Sequence, residues 1–180
     1  MKFLLTFAIA LLTACSALAQ QDSGAALSPP EIATGAIAGK TITIHYSAPS
    51  VRGRKIFGPG GLVMNDPNAP IWRAGANTST SFHTDADLLV GDLAVPKGDY
   101  SLYVNVKNPD AWELIINKQT GQWGLTYDAA QDLGRVNMRM SKPPATIERL
   151  KYAIENAGGN KGTLTLEWEN HIASVPIEVK

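Results

Sequence analysis

Thr41-Ile42-Thr43-Ile44-His45-Tyr46 decides the fold class. Ile42, Ile44 and Tyr46 alternate with Thr41, Thr43 and His45, and a period of two marks a half-buried strand. Pro49 closes it. The pattern recurs at 80–88, where Phe82, Thr84, Ala86 and Leu88 share one face and His83, Asp85 and Asp87 the other. Strands are also predicted over 93–95, 100–106, 111–117, 136–140, 147–155, 163–168 and 173–179. Turn signals separate them: Gly91-Asp92, Pro96-Lys97-Gly98-Asp99, Pro143-Pro144 and the run Gly158-Gly159-Asn160. About nine short strands with at most one short helix predict an all-β, antiparallel β-sandwich. The helical piece is 128–133, with Asp128 as cap and Gly134 as stop. Expected inward residues are Ile42, Ile44, Leu102, Val104, Leu114 and Ile116, then Leu164, Leu166 and Trp168, with Trp112 on the Leu114 face.

Composition narrows the function classes. The chain has 180 residues, 44% hydrophobic and 18% charged, too apolar and too balanced for disorder. Sixteen cationic side chains against 16 acidic ones, with pI near 6.8, exclude the broad basic face of a nucleic-acid binder. One cysteine excludes a disulfide framework and a Cys-rich zinc site.

The N-terminus reads as a leader. Lys2 precedes an apolar run from Phe3 to Ala14, then Ala17-Leu18-Ala19. This is the order of a signal peptide over 1–19. The run is too short for a transmembrane span, which takes roughly 20 residues. A second cut stays open: Leu12-Thr13-Ala14-Cys15 resembles a lipobox, which would make Cys15 a lipid anchor. Either cut predicts a periplasmic, secreted or envelope-anchored protein. Cutting after Ala19 removes Lys2 and the only cysteine. The remainder, at about 160 residues, can bury roughly 70% of its unfolded surface without a disulfide. Residues 20–30, ending in Pro29-Pro30, read as a flexible tether, and 31–180 as a single domain.

Few residues point to chemistry. No Gly-x-Ser-x-Gly elbow, no Gly-x-Gly-x-x-Gly and no phosphate loop occurs. His83, Asp85 and Asp87 share a strand face, with neighbours about 6.8 Å apart, within reach of one metal ion. The solvent face of an ordinary strand needs the same residues, and that reading is preferred, so no metal or cofactor is assigned. His45 and His171 have no spacing partner. Glu113, Glu167 and Glu169 are available carboxylates that nothing pairs. Arg52, Arg54 and Lys55 share the Gly-rich loop 51–66, and Arg73 follows the loop 65–70. Arginine presents a planar fork suited to carboxylate or phosphate. Loops at one end of a sandwich would make these an anion-binding mouth; ion pairs inside the fold would make them staples. Trp72 and Trp123 are placed in loops, where they either stack on a ligand or fold over the core edge.

Several strings occur together: Tyr46-Ser47-Ala48-Pro49, Gly53-Arg54-Lys55-Ile56-Phe57-Gly58, Trp72-Arg73-Ala74-Gly75-Ala76-Asn77, Gly98-Asp99-Tyr100-Ser101-Leu102-Tyr103, Trp112-Glu113-Leu114-Ile115-Ile116-Asn117, Gly121-Gln122-Trp123-Gly124 and Asp132-Leu133-Gly134-Arg135-Val136. Their order, from about Ser28 to the C-terminus, resembles an exported bacterial family catalogued as domain of unknown function 2911. The resemblance implies an exported β-rich domain and supplies no activity. It directs attention to Arg54, Trp72, Arg73 and Asn77 as ligand-binding candidates. The chain departs from the pattern at Thr78, where an acidic residue is usual, and in a longer stretch between Gly58 and Trp72. The leading expectation is a non-enzymatic module for a small anionic or carbohydrate ligand or an envelope partner. A structural envelope protein and a hydrolase or lyase are the alternatives.

Overall fold

The computed structural model describes residues 27–180. The leader, Cys15 and residues 20–26 of the tether lie outside the described residues. Those described form two antiparallel sheets of seven and six strands. The first sheet opens with β1 (Pro30–Ile37), β2 (Lys40–Ser47), β3 (Ile71–Trp72) and β4 (Thr80–Thr84). The chain then crosses to the second sheet for β5 (Leu88–Val90) and β6 (Leu93–Val95). It returns for β7 (Gly98–Asn105), β8 (Glu113–Asn117) and β9 (Asp132–Asn137). The second sheet finishes with β10 (Arg139–Ser141), β11 (Ile147–Gly158), β12 (Lys161–Glu169) and β13 (His171–Val179). The orders are β1-β2-β4-β7-β8-β9, with β3 on β7, and β11-β12-β13-β5-β6, with β10 on β13. The two faces enclose one apolar core. Every side chain predicted to point inward is buried there.

Three local readings change. Residues 80–88 are not one strand. The hydroxyl of Thr84 donates to Ala86 O at 2.7 Å and accepts from Ala86 N at 3.2 Å. This tight turn carries the chain across the core, yet Ala86 and Leu88 stay buried, so the alternation runs through the corner unbroken. Residues 136–140 divide in the same way between β9 and β10. The predicted helix over 128–133 is a single 3₁₀ turn, Ala129–Gln131. Asp128 does cap it, accepting from Ala130 N at 2.9 Å. Gly134 is no stop but a residue of β9, placed where a Cβ would meet Leu93. No helix among the described residues is long and apolar enough to cross a membrane.

Strand β1 was not expected, and Pro30, read as tether, begins it. The preceding residues are tied down as well: Ala48 N donates to Pro29 O at 2.8 Å, and Arg52 Nη2 to Leu27 O at 3.0 Å. β1 closes one corner of the sandwich against β11. Glu31 pairs with Arg149 at 3.5 Å, and Asn156 Nδ2 donates to Ala36 O at 2.9 Å. Between these contacts, a Cβ on Gly35 would lie 2.6 Å from Ile154 O. That obstacle is backbone and cannot swing away. Gly35→Ala is therefore expected to lower stability by about 1–3 kcal/mol, the usual cost of overpacking. Urea denaturation measures it, and an unchanged midpoint would show that this corner is slack.

Candidate functional site

Residues 48–79 link β2 to β4 and contain only β3 and one 3₁₀ turn, Leu62–Asn65. Their shape is set by main-chain bonds. Val51 N donates to Glu148 O at 2.8 Å, while Leu62 N and Val63 N donate to Lys55 O and Ile56 O, both at 3.0 Å. Gly61 permits that fold-back, since a Cβ there would lie 2.5 Å from Ile56 O. The next turn is held from both sheets. Ala74 O accepts from Thr80 Oγ1 at 3.0 Å and from Tyr152 Oη at 2.8 Å. Trp72 Nε1 donates to Gly75 O at 3.2 Å, and Ala76 N to Ser47 O at 3.2 Å.

Between these two folded-back segments lies a cleft of about 320 Å³. Arg54, Asp66, Trp72, Arg73, Leu125 and Trp168 are among its lining residues. Arg54 is exposed. It spends Nε on Val51 O at 3.1 Å and Nη2 on Ser50 O at 2.6 Å, which orients the guanidinium and leaves Nη1 without a hydrogen bond among the described residues. Arg73 is mostly covered, its side chain 20% exposed. Its Nη1 faces Asp66 Oδ2 at 3.7 Å, an ion pair too long to be a hydrogen bond. Arg73 Nε and Nη1 are shielded from solvent and have no hydrogen-bond acceptor among the described residues. Such groups are rare because each forfeits its hydration without replacement. Asp66 is 8% exposed and also accepts from Asn68 N at 3.0 Å. Two guanidinium groups and one carboxylate give the lining one net positive charge.

The four expected ligand residues separate. Arg54, Trp72 and Arg73 come together at the cleft. Asn77 does not line it. Its Nδ2 donates to Ser47 Oγ at 3.3 Å, and its carbonyl accepts from Gly124 N at 3.1 Å. It adopts φ 61°, a left-handed conformation that asparagine tolerates better than most residues. Trp72 is corrected from a loop residue to part of β3. It is 3% exposed and stacks on Trp168 at 5.6 Å, so it forms floor rather than a free stacking face. Trp123 is 53% exposed and does not line the cleft. Arg52 and Lys55, counted with the cationic cluster, are used on main-chain carbonyls: Leu27 O and, at 2.6 Å, Pro59 O. Asp66 is not legible in the sequence, because nothing in the loop 65–70 marks it as the partner of Arg73. Gly124 is a second omission: a Cβ there would lie 2.2 Å from Arg73 Cδ, so the loop can seal the arginine stem only with glycine.

The histidines are placed otherwise than their spacing suggested. His83 Nδ1 meets Asp99 Oδ1 at 2.7 Å and Nε2 meets Asp85 Oδ1 at 3.1 Å, on opposite edges of the ring. Asp87 instead accepts from Lys97 N at 2.8 Å. The face His83, Asp85, Asp87 thus does not converge on one point. Among the described residues, no group of three His, Cys, Asp or Glu side chains could hold a metal ion. His171 has a partner after all. Across the tight turn into β13, Glu169 Oε2 lies 3.4 Å from its Nδ1. The ring stacks on Trp112 at 5.0 Å, and with Asp110 and Lys142 it lines a second cavity of about 350 Å³.

The family model described as protein of unknown function (DUF2911) matches residues 28–177. The chain belongs to that family. No curated protein and no solved structure matches it. Every residue lining the cleft falls within the matched span. Membership therefore covers the site and assigns it no activity.

The two partnered histidines give opposite pH signatures. Burial, and next to it Lys142, lowers the His171 pKa against the pull of Glu169 and Asp110. The unfolded chain then takes up this proton first, so stability falls as pH drops below about 6.5. Hydrogen bonds to Asp99 and then Asp85 raise the His83 pKa. Its contribution is whole below about 6.5 and fades as pH rises through the folded value. His171→Gln is expected to flatten the acid side of the stability profile, measured by urea midpoints between about pH 5 and 7. Parallel wild-type and variant profiles would contradict this.

Proposed function

We propose that this chain is an exported, non-enzymatic binding module that takes a small anionic ligand, acidic sugars included, in the cleft between Arg54 and Arg73. The observation that carries this reading is the meeting of two guanidinium groups at one cleft, Arg54 exposed and Arg73 mostly covered, with a single carboxylate in the lining. A guanidinium serving only as a staple would be expected to close on its carboxylate; here Asp66 stops at 3.7 Å. Arg54 adds a second donor already oriented by two carbonyls. A volume of about 320 Å³ is at the small end for ligand sites, suited to one sugar-sized molecule. The leader-like order of Lys2, the apolar run and Ala17-Leu18-Ala19 supports export, with a periplasmic or secreted location, or anchoring at Cys15.

Binding is tested by thermal denaturation of protein purified after expression of the full chain. Glucuronate, galacturonate and glucose 1-phosphate serve as anionic probes, and glucose as the neutral control. At about a hundredfold excess over Kd, an anionic ligand stabilises by about 2.7 kcal/mol, a rise of roughly 5–10 °C for a domain this size. Arg54→Gln keeps the core intact and is expected to weaken binding roughly tenfold or more, the loss of a charge-assisted bond. Arg73→Gln is expected to abolish it. Equal shifts with glucose and glucuronate, or unchanged affinity in Arg54→Gln, would overturn the reading.

A further inference from the structure

Resting on the reading of the cleft as an anion site, we propose that its ligand is an α-hydroxy carboxylate, its carboxylate held by Arg54 and Arg73 and its hydroxyl by Asp66. All three side chains line the same cleft, so its charge is of mixed sign. Asp66 Oδ1 is occupied by Asn68 N at 3.0 Å. Oδ2 accepts no hydrogen bond among the described residues; it faces Arg73 Nη1 at 3.7 Å, beyond hydrogen-bond reach. Arg54 keeps Nη1 free once Val51 O and Ser50 O are served. Arg73 Nε and Nη1 are shielded, which leaves Nη2 as its donor toward the cleft. The lining therefore offers two cationic donors and, beside them, one anionic acceptor with an oxygen to spare.

That combination narrows the ligand. A plain anion serves the guanidinium groups, brings its charge up to Asp66 and has no hydrogen to give it. A dianionic phosphate meets the same carboxylate with twice the repulsion. A neutral sugar donates to Asp66 and leaves both cations unmatched. A molecule with an anion and a hydrogen-bond donor on adjacent carbons serves both sides, and Asp66 and Arg73 are themselves only 3.7 Å apart. α-Hydroxy acids and α-amino acids share that form, and charge decides between them. Arg54, Arg73 and Asp66 sum to one positive charge. A hydroxy acid neutralises it, whereas a zwitterion leaves it standing. Pro49, Val63 and Leu125 add apolar wall for a short aliphatic chain, the usual setting in which a few polar groups fix a ligand's orientation.

The test is isothermal titration calorimetry on protein purified after expression of the full chain. Leucate, isocaproate and leucine differ only in carrying a hydroxyl, a hydrogen or an ammonium group on the carbon beside the carboxylate. Leucate is expected to bind at least roughly tenfold more tightly than either, the worth of one hydrogen bond to a charged group. Inorganic phosphate is expected to bind more weakly than leucate. Asp66→Asn removes the negative charge at nearly constant shape. It is expected to shrink the preference for leucate over isocaproate to about threefold or less and to tighten phosphate. The wild-type series decides on its own if that variant does not fold. Isocaproate, leucine or phosphate binding as tightly as leucate, or a folded Asp66→Asn with unchanged preferences, would overturn the proposal. If leucate shows no preference while glucuronate still stabilises in an Arg54-dependent way, this proposal falls and the anion reading stands. If no anion of either series binds, both fall.

Discussion

Phe57 enters the sandwich from the long β2–β4 connection and meets four rings. Trp112, His171, Trp72 and Trp168 lie 4.7, 4.9, 5.4 and 5.7 Å from its centroid. Trp72 belongs to the first sheet, and Trp168 and His171 to the second. One side chain therefore ties the connection to both layers. Glu169 secures the same point by accepting from Ile56 N at 3.1 Å, which links the β12–β13 turn to the loop that carries Arg54. Aromatic pairs add about 0.5–1.5 kcal/mol each beyond their burial, and truncating such a ring costs about 3–5 kcal/mol. Main-chain bonds shape the connection, and this cluster fixes it against the two sheets.

That anchorage explains why strained backbone persists around the cleft. Arg52, Ala74 and Asn77 adopt φ of 50°, 52° and 61°, each a left-handed conformation that costs about 1–2 kcal/mol for a residue with a Cβ. The aromatic cluster and the two bonds on Ala74 O are together large enough to hold them. The arginines arrive at the cleft as a consequence of this fixed path. Arg73 is kept there although its donors lack acceptors, and a group in that condition is where a fold departs from its own stability optimum. We read the two guanidinium groups at this cleft as room for an anion.

The layers were legible in the sequence because alternation records burial directly. Ile42, Ile44, Leu102, Leu114, Leu164 and Leu166 needed only their spacing to be assigned inward. The crossings between sheets were not legible, because Ala86 and Leu88 remain buried through the corner and the period of two never breaks. Strand β1 escaped notice because its sequence is rich in small residues, and Gly35 is there for the close approach of Ile154 rather than for a turn. Three of the four ligand candidates meet because their motif strings lie in the connection that Phe57 pins. Asn77 falls outside since its side chain is spent on Ser47. The Asp66 pairing and the Glu169–His171 pairing depend on how loops fold back, which neither spacing nor composition encodes.

The central claim is that Arg54 and Arg73 meet at the cleft to hold an anion rather than to staple the fold. A crystal structure of the chain soaked with acetate, the smallest carboxylate, tests it most directly. The account predicts a carboxylate in the cleft within hydrogen-bond distance of both Arg54 and Arg73. A cleft holding only water, with the Arg73 N–H groups bonded to Asp66 or to main-chain carbonyls, would contradict it and make the arginine a structural staple.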